Sequence, residues 1–243
     1  MSSIIKVGKV QSSTGNDAVT VADSGIITMA SGNGYRFAGM QVFTSDGTYT
    51  KSPNVSAIYV IVTGSAGGGG GGADNWNLGG GGGAGGTAIK WITSGIGTED
   101  VTIGNAGQGG ATQNDGTNGQ NCTFGSSGGF TQLVGGGGIK GGAGNTYVAG
   151  NSLGGTATGG DINIPGGDGT SASGGDIADE SIGGVGGASY WGGGGKSGSA
   201  YGNKDGTSAR VYGAGGGGGR EEISTAASGG NGMTGIVVVY EYI

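Results

Sequence analysis

The chain has 243 residues, of which 70 are glycine, two proline, one cysteine and none histidine, and its formal net charge is −6. Glycine approaches the one-third share of a collagen, but so few prolines and the lack of a strict Gly-X-Y period exclude a triple helix. Ten Lys and Arg residues scattered singly give no basic footprint for nucleic acid, and a lone Cys122 excludes an intramolecular disulfide framework and reads as a small buried hydrophobe.

The opening, residues 1–38, is the least glycine-rich part. "IIKVGKVQ", "AVTVA" and "GIITMA" are short β-branched runs separated by "SSTGND" and "DSG", and this alternation of strand and turn chemistry predicts a small β-meander. So short a segment buries too little surface to stand alone, which points to attachment or pairing with other chains. No signal peptide or membrane span is visible.

From residue 39 to 243 a glycine-rich domain is expected, with strands at 41–62, 87–104, 130–134 and 235–243. Asp46-Gly47 between Gln41–Thr44 and Thr48–Lys51 reads as a hairpin turn. Ala57–Val62 and the closing "GIVVVYEYI" are unbroken apolar runs, expected to be central strands of one sheet. Trp91, in the strand pattern "GTAIKWI", is expected in the core.

Between about 135 and 230 strand-length apolar runs vanish. Glycine pairs recur, as at Gly183-Gly184 and Gly186-Gly187, and so do spacings of three, as at Gly213, Gly216 and Gly219. Three is the repeat of a polyproline-II-type helix, and glycine along its edges lets neighbouring helices bond through their backbones. The chain is therefore expected to be mainly β with essentially no α-helix, a small sheet or sandwich joined to a polyglycine-II-like lattice with protruding loops. Gly67–Gly72 and Gly79–Gly86 are anchored by strands at their outer ends, so "ADNWNL" between them is expected to be a loop held out by paired rods.

The opening "IKVGKVQSSTGNDAVTVADSGIITM" resembles a segment common at the start of phage tail-fibre proteins. "FTSDGTYTKSPNVSAIYVIVTGSAGGGGGG", "GGGGGAGGTAIKWI", "VTIGNAGQGG", "CTFG" and the terminal "GIVVVYEY" resemble, in order, the glycine-rich domain found at the end of many tail fibres. The resemblance implies a virion component of the tail fibre, extracellular when acting. It would be joined to other tail or baseplate proteins through its N-terminus and, as fibres usually are, homotrimeric. Glycine-rich adhesins of T-even-like fibres bind receptors through loops between polyglycine-II helices. The implied partner is thus a host outer-membrane protein or polysaccharide. The opening of this chain differs from theirs.

Aromatic, Asn, Asp and Ser side chains suit recognition surfaces. The candidates in the glycine-flanked islands are Asp74, Asn75, Trp76, Asn77, Tyr147, Tyr190, Trp191, Tyr201, Asn203, Lys204, Asp205 and Tyr212. Trp76 and Trp191 could instead fold back onto the lattice. Enzymatic readings fare poorly, and no cofactor or metal is expected. Without histidine, the G-x-S-x-G matches at Ser127 and Ser152 cannot complete a triad. "YWGGGGKSG" fails the phosphate-loop pattern at Tyr190, leaving Lys196 a solvated charge. The acidic groups Asp176, Asp179, Glu180 and Glu221-Glu222 read as solvated loops, although a glycan-cleaving pair could form only in the fold. A structural virion connector without its own receptor is the main alternative function, and an ice-binding protein a distant third.

Overall fold

A computed structural model describes residues 9–11, 17–21, 27–29, 35–72, 78–125, 129–144, 152–173, 182–199, 204–220 and 227–243, the first three of these as backbone only. The described part is all-β with no helix. Strands β1 (Lys9–Gln11), β2 (Asp17–Val21) and β3 (Ile27–Met29) form the expected antiparallel meander. The remaining strands are β4 (Phe37–Phe43), β5 (Gly47–Thr50), β6 (Ala57–Thr63), β7 (Thr87–Ile92), β8 (Thr98–Thr102), β9 (Cys122–Phe124), β10 (Leu133–Gly135), β11 (Ala157–Thr158), β12 (Ile162–Ile164) and β13 (Ile236–Tyr242). They build two five-stranded antiparallel sheets, ordered β12-β7-β6-β13-β4 and β11-β10-β9-β8-β5.

Apolar alternation sets which face each strand buries. Ile58, Val60, Val62, Val237 and Val239 of the first sheet meet Tyr49, Val101, Phe124 and Leu133 of the second, and this is the main core. The opposite face of the first sheet carries Ile61, Ile89, Ile236 and Val238 under Tyr59, Trp191, Tyr212 and Tyr240. The unbroken apolar runs β6 and β13 are thus adjacent and covered on both faces, as read from the sequence. Trp91 departs from expectation: it is half-buried on the outer face, with its ring 4.9 Å from Tyr242 and 5.0 Å from Tyr35.

Two further readings change. Asp46-Gly47 is not a hairpin turn, because β4 pairs with β13 whereas β5 pairs with β8 in the other sheet. The chain crosses between sheets there, and the Ile103 amide donates to Asp46 Oδ1 at 2.7 Å. "DINIP", within the stretch 135–230 expected to be lattice and loops, supplies edge strand β12 against β7.

The glycine region extends the sheets without a break in register. Thr63 pairs with Thr87 at the end of β6 and β7. The pairing then continues as Gly64 to Gly86, Gly67 to Gly83 and Gly70 to Gly80, each N–H···O at 2.9 Å. Beyond the Ile236–Thr63 pair of β13 and β6, Ala66 donates to Met233, Gly69 to Gly230 and Gly72 to Ala227. The bonds now fall at every third residue, the repeat of a polyproline-II-type rod. Intervening residues turn toward other neighbours: Gly68 donates to Thr117 and Gly71 to Asn114.

These bonds fix the lattice. The rods 64–72, 78–86 and 213–220 bond to one another and are buried throughout. Around them the described residues close a ring of nine rods: 104–112, 114–121, 135–144, 152–156, 166–172, 182–188, 192–198, 204–209 and 227–234. Each central rod has six neighbours. Three ring rods, 135–144, 182–188 and 227–234, each bond to two central rods, and the other ring rods to one. Glycine content follows this geometry. Central rods are nearly pure glycine, the doubly bonded 182–188 reads Ile-Gly-Gly-Val-Gly-Gly-Ala, and the singly bonded 114–121 keeps only Gly116 and Gly119. At most positions where a rod faces another rod, an added Cβ would fall on a neighbouring backbone carbonyl.

Candidate functional site

Because β6 and β7 lead directly into the rods, Gly64 and Gly86 lie at the sheet end of the lattice while Gly72 and Leu78 lie at its outer end. The same outer end holds Gly144, Ser173, Ile182, Ser199, Lys204, Arg220 and Ala227, the residues at which rods stop. Direct bonds tie these ends together: Gly72 N–H to Ala227, Gln113 N–H to Gly72, Arg220 N–H to Lys204, and bridges between Leu78 and Arg220 and between Ser173 and Ile182. The chain segments 73–77, 145–151, 174–181, 200–203 and 221–226 are all attached here. Tyr35 enters β4 at the opposite end, where Arg36 exchanges backbone hydrogen bonds with Ile243. One rod length plus one strand length separates them, about 50 Å at ~3.1 and ~3.3 Å per residue.

Beneath the outer end Leu78 and Ala172 form a small apolar cluster, and Arg220 is the largest fully buried side chain. Turn 111–114 closes between two rods, with Gln113 in the left-handed region at φ 65°.

Polar side chains staple the ring. Asp115 Oδ1 accepts the Ala143 amide at 2.8 Å and its Oδ2 meets Lys140 Nζ at 2.8 Å. The Lys140 bond, then the Ala143 amide, hold the Asp115 carboxyl below the usual carboxylate range. Asn118 accepts from Lys140 N, Asn121 from Gly137 N, Asp168 from Gly154 N, Asn231 from Gly109 N and Asp205 from Ser228 N, all at 2.7–2.9 Å. Each lies in one rod and caps an N–H of the next, replacing a carbonyl that a more central neighbour would supply. Sequence reading missed this role; the signal was an Asn or Asp directly before a glycine, as at Asp115-Gly116, Asn118-Gly119, Asp168-Gly169, Asp205-Gly206 and Asn231-Gly232.

The recognition candidates separate into two places. Lys204 and Asp205 lie at the outer end, Asp205 as one of these staples. Trp191, Tyr190 and Tyr212 lie at the sheet end. Trp191 is half-buried against the outer face of the sheet, its Nε1 donating to Thr63 Oγ1 at 2.9 Å. Tyr190 is exposed, its ring edge-on to Trp191 at 5.1 Å. Asp74, Asn75, Trp76, Asn77, Tyr147, Tyr201 and Asn203 fall outside the described residues, as do Ser127, Asp176, Asp179, Glu180, Glu221 and Glu222. Described residues bracket six of the first seven at the outer end, and Tyr147 falls in sequence between Gly144 at that end and Ser152, which bonds Gly81 partway along a central rod.

Of the remaining chemical candidates, Ser152 is buried with its Oγ donating to the Gly81 carbonyl. Cys122 lies in the main core, where burial pushes its thiol up. Among the described residues no three acidic or cysteine side chains form a group that could hold a metal ion.

A search of the curated proteins finds no match. A family model described as a glycine-rich domain matches residues 44–242. That span takes in both five-stranded sheets from β5 onward and the whole rod lattice, and the chain belongs to this glycine-rich domain family.

Proposed function

We propose that the chain is a non-enzymatic phage tail-fibre adhesin, part of the virion, that fixes the particle to an outer-membrane protein or polysaccharide of its host. The observation that carries this reading is polar placement. Five chain connections attach to one end of a close-packed lattice, and the sheets and the N-terminal entry occupy the other. Loops on a rigid scaffold are where recognition residues concentrate, and a lattice of backbone-bonded rods holds their ends in place at little cost in side chains. The islands at 73–77 and 200–205 bear the receptor contacts in this reading. Residues 1–38 join other tail or baseplate proteins, and the fibre is a homotrimer.

The test compares adsorption of purified protein to intact host cells with adsorption to cells stripped of surface polysaccharide or of outer-membrane proteins. Exchange of 73–77 for a glycine-serine segment of equal length is expected to reduce adsorption at least tenfold while the unfolding midpoint stays unchanged. A connector without a receptor would show no adsorption in any arm and would lose virion assembly instead.

A further inference from the structure

We propose that the side chain of Gln113, in the turn 111–114, is a receptor contact, an assignment that rests on the adhesin reading above. The turn is closed by the Asn114 amide, which donates to the Ala111 carbonyl at 2.9 Å. Its third residue, Gln113, has φ 65°, the left-handed position that a turn of this kind fills with glycine or asparagine. The turn 52–55, at the opposite end of the molecule, keeps to that rule. There the Val55 amide donates to the Ser52 carbonyl at 3.3 Å and the third residue is Asn54, also at φ 65°.

Glutamine is the unfavourable choice at this position. It lacks the short side chain whose local hydrogen bonding lets asparagine adopt the left-handed conformation. The other left-handed positions among the described residues, Gly95, Gly125, Gly159, Gly192 and Gly213, are all glycine. A chain with 70 glycines nevertheless keeps a glutamine here. The bonds that hold the turn do not require it: Gln113 N–H donates to Gly72 at 2.8 Å, Gly71 N–H to Asn114 at 2.9 Å, and Asn114 Nδ2 to the Thr112 carbonyl at 2.9 Å. Glycine at 113 would keep all three. Backbone strain of this kind is retained where function uses the group it presents.

Position supplies the function. Gln113 stands at the outer end of the lattice, and its backbone bonds to Gly72, the residue from which the segment 73–77 departs. Gln113 and Asn114 are exposed and Thr112 is half-buried, so the turn offers two amides and a hydroxyl without a charge or a ring. An amide both donates and accepts hydrogen bonds, which suits an uncharged hydroxyl or amide group of the receptor. Because the turn is fixed by its own bonds before contact, little further ordering opposes binding.

Adsorption of full-length Gln113→Gly to intact host cells, read beside its unfolding midpoint in urea, tests the assignment. Glycine relieves the left-handed backbone, so the midpoint is expected to stay level or rise. Adsorption is expected to fall about fivefold or more. Asn54→Gly, the same replacement at the matching turn position of the opposite end, should leave adsorption unaltered. A Gln113→Gly chain that adsorbs like the wild type overturns the proposal, and so does an Asn54→Gly chain that loses adsorption equally. A midpoint that falls together with adsorption also overturns it, since Gln113 would then serve only to hold the turn. In each of these cases wild-type adsorption keeps the adhesin reading standing, whereas a wild-type chain that adsorbs to no cell overturns that reading and this assignment with it.

Discussion

Gly69 has no room for a methyl group. A Cβ there would fall on the Gly217 carbonyl of the neighbouring central rod, and that carbonyl is locked by its own bond from Gly230. Backbone cannot step aside as a flexible side chain would, so Gly69→Ala is expected to cost at least ~3 kcal/mol. Gly193, in a ring rod with nothing within 4 Å of an added Cβ, is the control. Gly193→Ala should be neutral or stabilising by up to about 1 kcal/mol, because alanine has less freedom to lose from the unfolded chain. Urea unfolding of the two variants checks the pair; equal costs would mean that close approach does not set the glycine content. At this scale the sequence was informative in aggregate. The longest glycine runs, Gly67–Gly72, Gly79–Gly83 and Gly215–Gly219, all lie in the three central rods, whereas a shorter run such as Gly192–Gly195 also occurs in a ring rod. Trp191 was not legible, because its destination depends on Thr63, 128 positions away in the chain.

Among the elements, β13 carries a feature that its apolar pattern conceals. Glu241 is 2% exposed on the core side of the sheet. It accepts from the Ser52 amide at 3.0 Å, Ser52 Oγ at 2.7 Å, Tyr49 Oη at 2.8 Å and Gln41 Nε2 at 3.3 Å. One carboxylate thus joins β13, β4 and β5, fixing the corner where the chain passes between sheets. Burial alone would push the Glu241 carboxyl up, but the Ser52 bonds, then Tyr49 and Gln41, outweigh it and hold it below the usual range. Burial, and then the Glu241 carboxylate it donates to, pushes the Tyr49 phenol well up, so Tyr49 stays a neutral donor. The sign follows from linkage. With the folded value depressed, Glu241 stabilises fully above the ordinary glutamate pKa near ~4.3, and that contribution fades as pH falls through the folded value. Glu241→Gln is expected to cost about 1–3 kcal/mol at pH 7 and to flatten the loss of stability between about pH 5 and 3, measured by urea unfolding across that range.

The strands themselves were largely readable. β6 and β13 announced themselves as apolar runs, and the glycine runs flanking them were correctly tied to the sheet. The Asp46-Gly47 signal misled because turn chemistry describes four residues and says nothing of which sheet each flank joins. β12 and β9 are three residues each, too short for a period to show, and exist because β7 and the β8–β10 pairings supply a ready edge. The register was beyond reach in the sequence: nothing local says that Thr63↔Thr87 continues unshifted to Gly70 and Gly80.

For the whole molecule, one set of antiparallel pairings changes its repeat from two residues to three as it leaves the sheets. Side-chain packing holds the first half and backbone hydrogen bonds the second. Ordering a residue costs about 1–2 kcal/mol, and most for glycine. In the central rods nearly every residue offsets this by donating one bond and accepting another out of contact with water. The far end of that arrangement is where the loops attach, which is why rod order matters for the proposed recognition as well as for stability.

Native-state amide hydrogen exchange tests the lattice most directly. The amides of Gly67–Gly72, Gly79–Gly86 and Gly213–Gly219 are expected to exchange only through global unfolding, as slowly as those of β6 and β13 and slower than those of the ring rods 114–121 and 204–209. If these three runs exchange at the rate of an unstructured glycine linker while β6 and β13 remain protected, the glycine segments are not packed rods, and the base on which the outer loops stand does not exist.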